Sequence, residues 1–194
     1  MVAAAYTLFS DRGYEGTSMV EIAAEAGVAV QTLYFTFETK SRLLQEAFFQ
    51  AVLGDSPTPP HEQPWFDRML RARYIGAAIS HMVDGSTDIF AKVAPLVASV
   101  RAVAADPEVA QIWAQQEEMR RRGYSDVVRT LSSKRPLHQG LTEQKATDIL
   151  LVVLSPDVYR AYVVDCGWSK SEYRAWATDT LYYQLFRDVL GVVE

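Results

Sequence analysis

Apolar residues recur every three or four positions along most of the chain, which places them on one face of an α-helix. The clearest example is Thr17–Lys40, which divides at Gly27 into two short helical halves. Ser18 and Glu21 have the spacing of a capping box at the start of the first half, and glycine commonly ends a helix in the left-handed conformation. The second half predicts a helix over Val30–Thr36. Two short helices joined by a glycine-containing turn are typical of a helix-turn-helix, whose second helix enters the major groove of DNA.

Apolar residues also recur at helical spacing on both sides of the helix-turn-helix. One helix is predicted over Val2–Arg12 and another over Lys40–Leu53. Residues 54–64 are rich in proline and polar side chains, so we place a linker there, between domains at residues 1–53 and 65–194. The second domain shows helical spacing only, and its helices are predicted at about residues 65–83, 87–105, 107–131, 142–154, 156–165 and 169–190.

Composition narrows the class of protein. A chain of 194 residues, 49% of them hydrophobic, can bury a substantial core. No apolar run approaches the ~20 residues that cross a bilayer, and no secretion signal is evident. The single cysteine, Cys166, cannot form an internal disulfide, so we expect a reducing, cytoplasmic setting. No nucleophile elbow, phosphate loop, metal-binding histidine pair or pair of catalytic carboxylates is present, so we expect no enzyme, cofactor or metal.

The charge balance is unusual for a protein that binds DNA. The net charge is −5, whereas nonspecific binding to phosphates favours a basic surface. In the first fifty residues the only basic side chains are Arg12, Lys40 and Arg42. The acidic ones there are Asp11, Glu15, Glu21, Glu25, Glu38 and Glu46. This balance keeps a second hypothesis open, namely a helical ligand-binding dimer with weak or lost DNA binding.

The segment Tyr6–Phe49 resembles the N-terminal domain of the TetR family of transcriptional regulators. The matching residues are Ala5, Leu8, Phe9, Gly13, Tyr14, Thr17, Ser18, Ile22, Ala23, Ala26, Gly27, Val28, Thr32, Leu33, Tyr34, Phe37, Lys40 and Leu43. The resemblance implies an all-α protein, with an N-terminal three-helix DNA-binding domain followed by a helical bundle for ligand binding and dimerisation. Members usually carry a basic arm before the first helix. The sequence opens inside that helix, so we expect that the arm is missing or was lost from the start of the chain.

The residues expected to contact DNA are Thr17, Ser18, Ala29, Val30, Gln31, Thr32, Tyr34, Phe35, Thr36 and Lys40. Gln31 can form two hydrogen bonds with adenine, whereas Thr32 and Val30 can contact a thymine methyl group. The resemblance adds phosphate contacts from the hydroxyl groups at the start of the second helix. We expect Lys40 to pair with a phosphate, because its charge would otherwise face only water.

The middle helices carry methionine, aromatic and polar side chains of the kind that line adaptable small-molecule cavities. The candidates are Trp65, Phe66, Met69, Tyr74, Met82, Phe90, Trp113, Gln116 and Met119. Ordinary core packing is the alternative, and residue by residue it is favoured. The resemblance implies that these helices enclose an effector, which we expect to be small and apolar or aromatic and to release the protein from DNA.

The last two long helices have apolar residues on more than one face, which is typical of an interface between two copies of a chain. The candidates are Leu150, Leu154, Tyr159, Tyr173, Trp176, Thr180, Leu181 and Tyr183. A homodimer would present two recognition helices about 34–36 Å apart, so we predict a palindromic operator. Together with the family resemblance, this leads us to expect a repressor.

Overall fold

The computed structural model describes residues 1–54, 62–104 and 107–187, apart from some side chains between residues 107 and 115, and this part of the chain contains helices and no strands. The helices are α1 (Val2–Arg12), α2 (Met19–Ala26), α3 (Val30–Phe37), α4 (Lys40–Leu53), α5 (Pro64–Arg71), α6 (Ile75–Val93), α7 (Val97–Ala102), α8 (Pro107–Lys134), α9 (Glu143–Val153), α10 (Pro156–Tyr159) and α11 (Lys170–Phe186). The predicted all-α class is confirmed. Among the described residues, no helix combines the length and apolar content needed to cross a membrane.

The helix predicted at residues 65–83 is two helices, and α6 continues where a break was predicted before Thr87. The hydroxyl of Thr87 donates to the Val83 carbonyl oxygen at 2.7 Å, which is an ordinary length for an O–H···O hydrogen bond. Because this hydroxyl is satisfied inside the helix, Thr87 does not start a new one. A 3-10 turn at Ala94–Leu96, which contains Pro95, separates α6 from α7.

The first of two compact units comprises Met1–Thr58 and Ala91–Gln116. Its core joins α1, α2, α3 and α4 through residues such as Phe9, Ile22 and Leu33, and it also includes Leu96 and Val103. The Ser99 hydroxyl donates to the Phe9 carbonyl oxygen at 2.9 Å. The segment around α7, which the sequence assigns to the second domain, therefore packs with the helix-turn-helix because it supplies apolar side chains to that core.

The second unit comprises Pro59–Phe90 and Glu117–Glu194. In it the end of α9 is held by polar side chains from α8 and α11. The Arg120 guanidinium donates to the carbonyl oxygens of Leu151 and Leu154, at 3.2 and 3.0 Å. The hydroxyl of the buried Tyr173 donates to Val153 at 3.1 Å, and burial raises the pKa of this phenol. These bonds satisfy carbonyl groups that the helix end leaves without partners.

A capping box stabilises the start of α11. Ser169 caps the helix by accepting from the Glu172 amide, and the Glu172 carboxylate accepts from the Ser169 amide at 2.7 Å. Beyond α10 the chain continues as a π-helical segment, Arg160–Asp165. Residues 55–61 of the predicted linker and residues 188–190 of the last predicted helix lie outside the described residues.

Candidate nucleic-acid interface

The geometry of the helix-turn-helix is set by its caps. The Ser18 hydroxyl accepts from the Glu21 amide at 3.2 Å, and the Glu21 carboxylate accepts from the Ser18 amide at 2.9 Å and its hydroxyl at 2.7 Å. Gly27 ends α2 with φ 66°, and the Val28 amide then donates to the Ala23 carbonyl oxygen at 3.0 Å. These bonds fix the turn that directs α3 away from α2, as the sequence predicts.

Helix α3 has one buried side and one open side. Leu33 is fully buried, and Phe37 packs against the same core. The opposite side exposes Gln31, Thr32 and Phe35, together with Ala29, Tyr34 and Thr36. Phe35 is 92% exposed, the largest value among the large hydrophobic residues of the described part of the chain. Of the predicted α3 contacts only Val30 is half-buried, because it packs against the core.

The predicted phosphate contact of the Thr17 hydroxyl needs correction. Thr17 is 2% exposed, and its hydroxyl lies 2.8 Å from the Gly13 carbonyl oxygen and 3.2 Å from that of Leu8. Its single proton is therefore used inside the protein, where it connects the start of α2 to the end of α1. Ser18 remains exposed, but its amide and hydroxyl are both engaged by Glu21.

Lys40 does not face only water, and that premise is wrong. Its ammonium group donates to the carbonyl oxygens of Tyr14 and Thr17, at 2.9 and 3.0 Å, and lies 4.0 Å from the centre of the Tyr14 ring. An ammonium group has three donors, so two are used within the protein. The sequence could not predict the contact between Lys40 and Tyr14, because the two residues are 26 positions apart.

The other basic side chains of the first 54 residues also have partners. The Arg12 guanidinium is 3.1 Å from the Glu21 carboxylate, and that of Arg42 is 2.6 Å from the Glu38 carboxylate. Hydrogen bonds from the Ser18 hydroxyl and amide, aided by Arg12, lower the pKa of Glu21. The cations of this region therefore already face acceptors of the protein itself.

A surface depression of about 460 Å³ lies beside α3. Its lining residues are Glu15, Gly16, Thr17, Ser18, Met19, Glu21, Tyr34 and Lys40. It combines donors that suit a phosphate with two carboxylates that repel one. The amides at the start of α3 have no side-chain cap, and such amides bind anions.

In the part of the chain that the structure describes, no three histidine, cysteine or acidic side chains form a metal site.

The residues predicted to line an effector cavity do not form one group. Trp65, Met69, Met82 and Phe90 are buried in the second unit, and Phe66 is half-buried there. By contrast, Tyr74 is 68% exposed at the break between α5 and α6, and Met119 is 55% exposed on α8.

Two other predicted effector residues, Trp113 and Gln116, belong to the first unit. Trp113 packs edge to face on Phe48 of α4, with 4.7 Å between ring centres. Since the candidates belong to two units, no cavity is assigned to the set as a whole.

Most of the predicted dimer contacts are buried within a single chain. Leu150, Leu154, Tyr159, Tyr173 and Leu181 are at most 3% exposed, so they cannot meet a second copy without unfolding.

The remaining candidates for that interface are Trp176 and Thr180, which are half-buried, and Tyr183, which is exposed. The exposed apolar surface also includes Val152 and Val164, which sequence reasoning missed. The spacing of apolar residues shows which faces of a helix are apolar. It does not show whether such a face packs against its own chain or against a second copy.

Comparison with known proteins gives a consistent result. Residues 1–47 match the family model of bacterial regulatory proteins, tetR family. No curated protein matches the chain.

Solved structures resemble nearly the whole chain at low sequence identity. A protein from Saccharomonospora viridis, described as a transcriptional regulator and solved in complex with choline, has a TM-score of 0.71 at 15% identity, over 96% of this chain and 95% of that one. The fatty acid degradation regulator FadR from Bacillus halodurans has a TM-score of 0.69 at 18% identity, over 93% and 91%. NalD, the secondary repressor of the MexAB-OprM multidrug efflux pump in Pseudomonas aeruginosa, has a TM-score of 0.64 at 17% identity, over 96% and 94%. These similarities establish that the fold is shared.

Proposed function

We propose, from the premise that this chain is a transcriptional regulator of the TetR family, that it is a repressor which binds a palindromic operator as a homodimer and leaves it when a small apolar or aromatic effector binds. The observation that carries the proposal is the open side of α3. Leu33 anchors this helix in the core, while Gln31, Thr32 and Phe35 are left exposed together. A short helix with one buried and one polar, uncovered side suits insertion into a major groove.

Backbone groups would supply much of the phosphate binding. The uncapped amides at the start of α3 are available for a phosphate oxygen, and the exposed Tyr34 adds a hydroxyl group further along the same helix. Lys40 keeps one donor for the same purpose. This arrangement accounts for DNA binding by a domain whose other cations are paired.

The proposed dimer would form on the uncovered apolar surface of α9 and α11. Val152 is 65% exposed, and Trp176 and Tyr183 lie partly uncovered on α11. Apolar surface of this kind is stabilised when a second copy covers it, and identical copies pair most simply about a two-fold axis. In a two-fold dimer the two copies of α3 are related by the same axis, and a symmetric pair of recognition helices matches a palindromic operator.

The proposed response to an effector would pass through α4. Trp113 of α8 packs on Phe48 of α4, and its buried Nε1–H has no hydrogen-bond partner among the described residues. Leu96 and Val103, on either side of α7, share the core of the helix-turn-helix. An effector that shifts α7 or the start of α8 would therefore move α4, and a coupling of about 1–3 kcal/mol between the two sites is typical. The choline complex of the Saccharomonospora viridis protein supports small-molecule binding by this fold.

The second hypothesis, a ligand-binding dimer with weak DNA binding, is favoured by the net charge of −5 and by the internal partners of Arg12, Lys40 and Arg42. Selection of bound sequences from a random duplex pool, at a fixed salt concentration, separates the two hypotheses. The proposed function predicts enrichment of a palindrome with two equal half-sites. Sequences that remain random after several rounds would contradict it and favour the ligand-binding dimer.

A further inference from the structure

The open side of α3 carries no charged group. Its exposed side chains are Ala29, Gln31, Thr32, Tyr34, Phe35 and Thr36, and the whole helix has the sequence VQTLYFTF. In the major groove, guanine presents two acceptors, N7 and O6, and the commonest contact to them is a bidentate arginine or lysine. No residue of α3 can make that contact.

The basic side chains nearest in sequence are not free to replace it. Lys40 is held by the carbonyl oxygens of Tyr14 and Thr17. Arg12 and Arg42 are paired with Glu21 and Glu38. A guanine contact from any of them would first require one of these interactions to break.

The side chain of Thr36 restricts recognition further. The Thr36 hydroxyl donates to the Thr32 carbonyl oxygen at 2.8 Å. Its proton is therefore used inside the helix, and Thr36 can offer a base only a methyl group and an acceptor. Neither of these is complementary to the acceptors of guanine.

Phe35 provides the strongest indication of what α3 does contact. Its ring is 92% exposed, in the middle of the same side as Gln31 and Thr32. Leaving a large apolar ring in water is unfavourable unless a partner covers it. The one apolar group that base pairs present in the major groove is the C5-methyl of thymine. The adjacent glutamine suits adenine, the base that pairs with thymine.

We infer that each operator half-site has an A·T core, in which Phe35, together with Thr32 and Thr36, contacts thymine methyl groups while Gln31 contacts adenine. The inference rests on the proposed function, because it specifies which DNA the chain binds. It also explains how a domain without a free cation on its recognition helix selects a sequence, since methyl contacts require no charge. The same feature predicts a shallow dependence of affinity on salt.

The test uses the duplex obtained by selection and replaces each core thymine with deoxyuridine, which removes only the C5-methyl group. Binding of the full chain is measured by fluorescence anisotropy. We expect each replacement at a contacted position to weaken binding about three- to five-fold, the effect of losing one buried methyl group. In the Phe35→Ala variant, the deoxyuridine replacement at the thymine that Phe35 contacts should change the affinity little, because the contact between the ring and the methyl group is already lost.

Phe35→Leu serves as the matched control, since it retains an apolar contact and should keep most of the deoxyuridine effect. Both variants should fold, because Phe35 is exposed, and thermal unfolding followed by circular dichroism verifies this.

The selected half-site could instead have a G·C core, with binding that 7-deazaguanine weakens and deoxyuridine leaves unchanged. This result would overturn the inference but leave the proposed function intact. If Phe35→Ala dissociates a dimer in light scattering and leaves the deoxyuridine effect unchanged, Phe35 covers a second copy, and the inference is likewise overturned. Failure to select any sequence would overturn the proposed function, and the inference with it.

Discussion

The ammonium group of Lys40 lies 4.0 Å from the centre of the Tyr14 ring and donates to the Tyr14 carbonyl oxygen at 2.9 Å. The first residue of α4 is thereby attached to the segment that connects α1 to α2. A cation at a helix start opposes the helix dipole, so this position is favourable only because two carbonyl groups and a ring surround the charge. Lys40 therefore fixes the position of α4, whether or not it also binds DNA.

Replacement of Lys40 by methionine should destabilise the protein. The change keeps most of the apolar stem but leaves two carbonyl groups without their donor, which costs about 1–2 kcal/mol at a half-buried site. Urea unfolding measures the loss, and the exposed Lys145→Met on α9 serves as the control that should change stability little. Unchanged stability together with uniformly weaker DNA binding would show that Lys40 contacts phosphate instead.

Replacement of Glu21 by glutamine should strengthen DNA binding and steepen its salt dependence. The amide can still pair with Ser18, but it removes a negative charge near α3 and releases Arg12, now 3.1 Å from Glu21. One additional phosphate contact per chain increases the slope of log K against log salt by about 1. Anisotropy titrations at several salt concentrations measure this slope, with the exposed Glu46→Gln on α4 as the comparison. Equal slopes for both variants would refute a role for Arg12.

Replacement of Gly85 by alanine should destabilise the second unit. A Cβ atom at this position would lie 2.2 Å from Cγ of Trp65, so the indole ring must move. The overpacking should cost about 1–3 kcal/mol, more than the gain of about 1 kcal/mol that alanine brings to a helix. Gly76→Ala on the same helix is the matched control, because its Cβ would meet nothing within 4 Å and should stabilise. Equal unfolding free energies for the two variants would contradict the close contact.

Replacement of Val152 by arginine should dissociate the proposed homodimer without unfolding the chain. Val152 is 65% exposed on α9, so the substitution is tolerated in one chain but places a charge in the interface. Sedimentation on dilution measures the dimer, and circular dichroism verifies the helical content. Gln144→Arg, at another exposed position of α9, should remain dimeric. An unchanged dimer with Val152→Arg would place the interface elsewhere.

The helix-turn-helix could be predicted because its signals are local. The capping box of Ser18 and Glu21, the left-handed Gly27 and the burial of Leu33 all depend on residues a few positions apart. The role of Lys40 could not be predicted, because its partners lie on a distant segment.

The burial of the predicted dimer residues could be predicted only in part, for a different reason. Leu150 and Val152 are both apolar and close in sequence, yet the first is fully buried and the second exposed. Hydrophobic spacing identifies apolar faces, but the choice between intrachain and interchain burial depends on how the helices pack. The same ambiguity divided the predicted effector residues between two units.

The Gln31→Ala variant tests whether the open side of α3 recognises DNA bases. Fluorescence anisotropy compares the selected operator with a scrambled duplex of equal length and composition at one salt concentration. We predict that Gln31→Ala weakens operator binding by about 5- to 150-fold, which corresponds to 1–3 kcal/mol, and leaves binding to the scrambled duplex unchanged. An equal affinity of the unaltered chain for both duplexes, or an unchanged preference after the substitution, would contradict the account.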